Sequence, residues 1–260
     1  AKNVYYVVAT DGGNHPLSLN RPDPYSWDVM PANDGTVIFS YTLYGDRTDG
    51  TFVGIDQQHA HLNLPAALCY AMGQEGRQAE IKFDLPASWK VATQLRPGVD
   101  KNTFSAPNLQ YLMDSPVSLG AQQVRTWQEG DQTIELATLY MGPAAELDAF
   151  AKKVQKVVKE ERAIFGELPT FDFARYTFVA DYLSQATADG MEHRNSTSVT
   201  SPRPLRDEDA TKNLGTVAHE FIHAWNVERL RPADIEPFDF QRVNMSDGLW
   251  FAEGFTQYYG

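Results

Sequence analysis

The sequence predicts an α+β protein in two parts, an antiparallel β domain over residues 1–143 and a mixed helix-and-strand region over residues 144–260. Three observations predict it. Residues 1–143 hold short runs rich in β-branched and aromatic residues, separated by turn residues, with no long helical pattern between them. The character changes at Gly142-Pro143, after which apolar residues fall at helical spacing. Beyond that point helix and strand patterns alternate, an order that argues for a second domain.

The elements follow in chain order. Asn3–Ala9, Thr36–Tyr44, Gln78–Leu85 and Thr133–Tyr140 read as strands, and Glu80-Ile81-Lys82-Phe83-Asp84-Leu85 alternates cleanly. Asp11-Gly12-Gly13, Asn33-Asp34-Gly35, Gly45-Asp46 and Glu129-Gly130-Asp131 supply turns between strands. A sandwich or saddle of antiparallel strands accounts for this stretch. From Ala144 to Phe165, Leu147, Phe150, Val154, Val157, Val158 and Ile164 form one apolar helix face. Pro143 suits its first turn, and Gly166 with Pro169 ends it. Phe171–Leu183 reads as a strand. Asp207–Leu230 reads as a second helix, capped by Asp207, Asp209 or Thr211, and Asp247 as the cap of a third from Gly248 onward.

Composition excludes several classes. No apolar run reaches the length of a membrane span. The net charge is −12, and the one lysine cluster, Lys152, Lys153, Lys156 and Lys159, fits a solvated helix face, so nucleic acid is not an expected partner. Cys69 is the only cysteine, which rules out an intrachain disulfide and leaves cytoplasm and periplasm both open. Its apolar surroundings predict a buried thiol. The first residues show no signal-peptide pattern.

Chemistry concentrates in His219-Glu220-Phe221-Ile222-His223. Residues i and i+4 stack on one helix face, so the two imidazoles can grip one Zn²⁺, while Glu220 stands beside the metal, placed to take a proton from its water. The flanks Val217, Ala218, Phe221, Ile222 and Trp225 make this a buried helix, where polar groups need partners. The third ligand is expected to be Glu253, a lone acid in Leu249-Trp250-Phe251-Ala252-Glu253-Gly254-Phe255, thirty residues after His223. Such a His₂Glu set with an open position favours zinc over cobalt or manganese.

His219 to Pro232, His-Glu-Phe-Ile-His-Ala-Trp-Asn-Val-Glu-Arg-Leu-Arg-Pro, resembles the metal helix of the glycyl aminopeptidase family, gluzincin metallopeptidases with a thermolysin-like fold. Trp250 to Tyr259 resembles the family's third-ligand helix. Gly190-Met191-Glu192-His193-Arg194-Asn195-Ser196 resembles its substrate-edge segment, related to the Gly-x-Met-Glu-Asn box of the aminopeptidase N family. His59-Ala60-His61-Leu62-Asn63 and Asp114-Ser115-Pro116-Val117-Ser118-Leu119-Gly120 resemble signatures ahead of the catalytic domain. The resemblance implies an N-terminal β domain over 1–143, followed over 144–260 by the first part of a thermolysin-like catalytic domain. It also implies zinc held by His219, His223 and Glu253, with Glu220 as general base. Glu192 then binds the free α-amino group of a peptide that begins with a small residue such as Gly or Ala.

The family's enzymes continue past the third ligand into further helices and commonly a PDZ domain, and relatives use a tyrosine there to stabilise the oxyanion. This sequence stops seven residues after Glu253, with Tyr258 and Tyr259 on the ligand's own helix. A missing C-terminal helical region is therefore expected, and the oxyanion residue stays unassigned. Two other readings stand beside the aminopeptidase: an endopeptidase of the same clan, and an inactive fragment acting as a binding module.

Of the remaining candidates, His59 and His61 share one side of a strand and are read as structural, and His15 as a loop residue. Arg229 and Arg231 are read as solvent-exposed or helix-end charges, or else as partners of nearby carboxylates or of the substrate, and Asn226 as a support for the ligands. Trp225, Trp250 and Phe251 are expected in the core.

Overall fold

The computed structural model describes residues 3–33 and 35–260. Ala1, Lys2 and the Asp34 of the expected turn at 33–35 lie outside the described residues. The chain divides into two compact units, residues 1–46 and residues 47–260.

The first unit is built from hairpin-like strand pairs. β1 (Val4–Thr10) and β2 (Leu19–Asp23) are followed by β3 (Ser26–Val29), which pairs antiparallel with β2, and by β4 (Ile38–Leu43), which pairs antiparallel with β1. Trp27, Phe39 and Tyr41 form a ladder of tilted rings, with centroids 5.6 and 5.9 Å apart.

The second unit opens with β5 (Val53–Ile55), β6 (His59–Leu62), the short α1 (Leu64–Ala67), β7 (Ala79–Lys82) and β8 (Lys90–Thr93). β9 (Arg96–Pro97), β10 (Thr103–Ala106), α2 (Leu109–Met113) and β11 (Val117–Gly120) follow. They form a four-stranded sheet in the order β5-β6-β11-β8 and a three-stranded sheet in the order β7-β10-β9, each antiparallel throughout. α1 buries Leu64 and Ala67, and the chain turns extended at Leu68. Cys69 is consequently exposed, not buried as its apolar neighbours predicted.

The layer that carries the candidate site comes next. β12 (Gln123–Glu129) turns through Gly130, at φ 65, into β13 (Gln132–Tyr140). α3 (Ala144–Phe165) crosses to β14 (Arg175–Tyr182), which is followed by β15 (Asp189–His193) and β16 (Ser196–Ser201). These strands make one sheet in the order β12-β13-β14-β16-β15, with β13, β14 and β16 parallel and both edges antiparallel. The expected domain division at residue 143 falls between β13 and α3, within the connection between two strands of this sheet. Every residue of β16 and all but the first of β14 are buried, as central strands covered on both faces must be.

The pleat sorts β14 into two faces. Tyr176, Phe178, Ala180 and Tyr182 join Leu147, Phe150 and Val154 of α3 in the main core. Asp181 points the other way, toward the four-stranded sheet, and accepts hydrogen bonds from His61 Nδ1 (3.1 Å) and Ser118 Oγ (2.9 Å). Burial alone would lower the pKa of His61, but the hydrogen bond and charge of Asp181 outweigh it and raise it. His61 is thus a structural histidine, as expected.

α3 has the limits its sequence predicts, with Pro143 at the N-cap and Gly166 closing it in the left-handed region at φ 84. The expected strand at 171–183 starts later, at Arg175, because a 3₁₀ turn with Phe173 and Ala174 at positive φ occupies residues 172–174. α4 (Asp207–Ile222) packs on α3, β15 and β16. It stops at Ile222, well short of the predicted Leu230. The backbone N–H groups of Val227 and Glu228 both donate to the His223 carbonyl (3.2 and 3.0 Å), winding residues 223–229 into turns. Its N-cap is Arg206, without a side-chain cap; Asp207 and Asp209 lie in the first turn, where their charge suits the helix dipole.

α5 (Leu249–Tyr259) starts after Gly248, whose N–H donates to Ser246 Oγ at 3.0 Å, so Asp247 does not cap it. This helix buries only Ala252 and Thr256, one narrow i, i+4 stripe. Trp250 is therefore 70% exposed, not a core residue. Phe251 is half-buried, and Trp225 stacks on Phe165 at 4.4 Å at the margin of the core. No helix among the described residues is long and apolar enough to cross a membrane.

Candidate metal centre

α4 delivers its polar residues to a site by burying its apolar ones. Val217, Phe221 and Ile222 are fully buried, and the Phe221 ring sits edge-on to Tyr176 at 4.9 Å. That fixes the rotation of the helix and turns His219 and His223 to the side where α5 packs. His219 Nε2 and His223 Nε2 face each other at 3.3 Å. Glu253 Oε2, arriving from α5, stands 3.3 Å from the first and 3.7 Å from the second.

These separations can be compared with a metal's requirement. Two donors at roughly 2.0–2.1 Å from a tetrahedral ion lie about 3.3 Å apart. The protonation pattern fits as well. His223 Nδ1 lies 2.7 Å from the carbonyl oxygen of Asn226, which can only accept, so Nδ1 donates and the Nε2 lone pair is left facing the cluster. The pKa of His219 is lowered, by burial first and by the neighbouring His223 second. Neutral imidazoles are the form that ligates a metal.

Glu220 lies on the same helix, buried, with Oε2 bonded to nothing among the described residues. Its pKa is pushed up to about 9, chiefly by burial and then by the negative charges of Glu192, Glu253 and Asp189. Glu192, on the edge strand β15, completes the group: ligand atoms of Glu192, Glu220 and His223 lie within 4.8 Å of one another. A cluster with three carboxylates and two imidazoles, one carboxylate oxygen buried and unpartnered, is what a divalent cation would satisfy. The residues present thus fit a zinc ion.

The amino-acid sequence matches two models of one family. Residues 1–121 match the peptidase M61 N-terminal domain, and residues 212–260 match the M61 glycyl aminopeptidase model. The chain belongs to the M61 peptidase family. The crystal structure of an aminopeptidase N family protein from Idiomarina loihiensis shares the fold, with a TM-score of 0.83 at 23% identity. That match covers 99% of this M61 chain and 45% of the other, so the chain spans less than half the length of the solved structure. No curated protein matches it.

The structure brings all five residues singled out in the M61 sequence to one place: His219, Glu220, His223, Glu253 and Glu192. The reason for expecting Glu253 needs correction. Its side chain is 47% exposed, so burial among aromatic residues is not what demands a partner; its place beside the two imidazoles is. Tyr258 and Tyr259 point elsewhere, Tyr258 into solvent and Tyr259 toward Phe165 at 6.2 Å.

The fold shows what three supporting residues touch. Asn226 ties the turn after α4 to α5: its Nδ2 donates to the carbonyls of Phe251 (3.2 Å) and Ala252 (3.1 Å) and to Thr256 Oγ1 (3.3 Å). Gly190 gives Glu220 its room, since a Cβ there would collide with the carboxylate end of that side chain. Arg229 reaches back to the Arg194 carbonyl (2.5 Å) and to Asn195 Oδ1 (3.2 Å), linking the end of the metal-helix turn to the β15–β16 turn. Arg231 pairs with Glu236 at 3.3 Å. A sequence signal existed for Asn226 and Gly190, as polar or small residues beside the motifs, but none said what they touch.

Proposed function

We propose that this chain carries the metal centre of a zinc-dependent aminopeptidase, which hydrolyses the first peptide bond of a peptide with a free N-terminus. The observation that carries the reading is the set of three donor atoms at tetrahedral ligand separations, beside a buried carboxylate with an unpartnered oxygen.

His219, His223 and Glu253 hold the ion in this reading. A bound zinc supplies polarisation of the scissile carbonyl and a more acidic water. Glu220 accepts the proton of the attacking water and returns it to the leaving amine. Burial and the neighbouring carboxylates raise its proton affinity in the metal-free site, and the positive charge of a bound zinc would oppose that rise and favour the ionised form that a base needs. Glu192 pairs with the α-ammonium of the substrate, a charge-assisted contact that selects the chain end. Gly190 lets the base stand close to the strand that carries Glu192.

The same reading keeps small N-terminal residues such as Gly or Ala as the preferred substrates. It also keeps a division near residue 143 into an N-terminal β domain and a thermolysin-like catalytic part, and it takes a further helical region, with the PDZ domain common in the family, as companions of that catalytic part.

Hydrolysis of Ala- or Gly-peptides with free and with acetylated N-termini tests the reading. The zinc-loaded protein cleaves only the free form, and Glu220→Gln lowers the rate by about 10²–10⁴-fold. Equal cleavage of the acetylated peptide indicates an endopeptidase instead.

A further inference from the structure

Glu192 and His193 are consecutive residues of β15, so their side chains leave opposite faces of the strand. The Glu192 carboxylate accepts no hydrogen bond among the described residues, and its position is set by its strand alone. On the other face, the strand is held tightly. The buried His193 ring donates through Nδ1 to Asp114 Oδ1 at 2.9 Å, and the backbone N–H of Arg194 donates to Asp114 Oδ2 at 3.1 Å. One carboxylate thus grips both the side chain and the backbone that directly follow Glu192.

Asp114 is itself fixed. It ends α2, where its N–H donates to the Gln110 carbonyl (2.9 Å), and its own carbonyl accepts from Gln94 Nε2 (2.7 Å). Gln94 Oε1 in turn accepts from Asn195 N (2.8 Å) and Ser196 Oγ (2.9 Å). A side chain from the segment ahead of the catalytic layer therefore clamps the far face of the strand that presents Glu192 to the metal ligands.

We propose that Asp114 is a positioning residue for recognition of the substrate's amino terminus, acting through His193 and Arg194 to hold Glu192 in register with the cluster. The proposal rests on the reading of Glu192 as the anchor of the α-ammonium. A strand freed at His193 and Arg194 lets Glu192 drift, and close charge pairing falls off with distance. The consequence is a loss of preference for free over acetylated N-termini, with the metal still bound.

The test measures binding of Gly-Gly-Gly and acetyl-Gly-Gly-Gly by calorimetry to zinc-loaded protein carrying Glu220→Gln, which prevents cleavage. The expected results are a strong preference for the free peptide, its disappearance in Glu192→Gln, and its reduction about tenfold or more in Asp114→Ala with zinc stoichiometry unchanged. Adding Asp114→Ala to Glu192→Gln produces no further change, because both act on one contact. Asp114→Asn, which keeps one acceptor and serves also if the alanine variant does not fold, gives a smaller shift in the same direction. If Glu192→Gln abolishes the preference and neither Asp114 variant alters it, the positioning role is wrong while the anchor stands. If Asp114→Ala lowers the preference equally in the Glu192→Gln background, Asp114 does not act through Glu192 and the proposal is overturned. If Glu192→Gln itself has no effect, the anchor reading fails and takes the proposal with it.

Discussion

Gly190 on β15 and Glu220 on α4 pack so closely that no side chain fits between them: a Cβ on Gly190 would overlap the Oε1, Cδ and Cγ atoms of Glu220. The strand that carries the proposed amine anchor and the helix that carries the proposed base are therefore spaced by a missing methyl group. Gly190→Ala must push the carboxylate aside while leaving the two histidines in place. Peptidase activity is expected to fall on the order of 10²-fold, the lower range for losing a positioned base, with zinc content unchanged. Full activity in the alanine variant would show that Glu220 is not constrained as the packing implies.

Asn226 makes a different kind of contribution. Its side-chain amide joins the turn after α4 to three acceptors on α5, the helix that brings Glu253 to the histidines. Asn226→Ala removes that tie without touching a ligand. Zinc affinity is expected to drop about 10–100-fold, measured by competition with a chelator. Stability is expected to fall by about 1–3 kcal/mol, since buried carbonyls lose their donor. An unchanged affinity would mean that α5 is located by its packing alone.

Glu161 on α3 gives a prediction about pH. It is buried, both carboxylate oxygens lack partners among the described residues, and burial holds its pKa well above the ordinary carboxylate range. The unfolded chain releases this proton near pH 4.3, the folded chain only at higher pH. Between those values the folded state binds more protons, so Glu161's contribution to stability is full below the unfolded value. It declines as pH rises toward the folded one. Glu161→Gln abolishes that slope. Denaturant unfolding from pH 4 to pH 8 should show the variant gaining on the parent protein as the pH rises. A stability difference that does not vary with pH would contradict the assignment.

Much of this architecture was legible because its signals are local. Pro143 and the left-handed Gly166 bracket α3, and the i, i+4 histidines and apolar flanks of α4 define both the helix and its buried face. What sequence reasoning missed depends on contacts between distant segments. α4 ends at Ile222 because the His223 carbonyl takes two donors from the following turn, and no residue there breaks a helix by itself. α5 exposes Trp250 because only Ala252 and Thr256 of this helix are buried, which the run of aromatic residues conceals. Glu253 was found through a burial argument that its half-exposed side chain does not bear out. The strands over 123–140 show no sign in their own residues that they hydrogen-bond into the sheet of the catalytic layer. Asp114, 79 residues from His193 in sequence, has no periodicity or motif that would link the two.

The central claim is that His219, His223 and Glu253 form one metal site. Zinc per chain, measured on purified protein after incubation with zinc and removal of excess, tests it most directly, with His223→Ala as the comparison. About one zinc per chain, lost in the variant while the circular dichroism spectrum is kept, is the predicted result. A parent protein that retains no more zinc than His223→Ala would contradict the account.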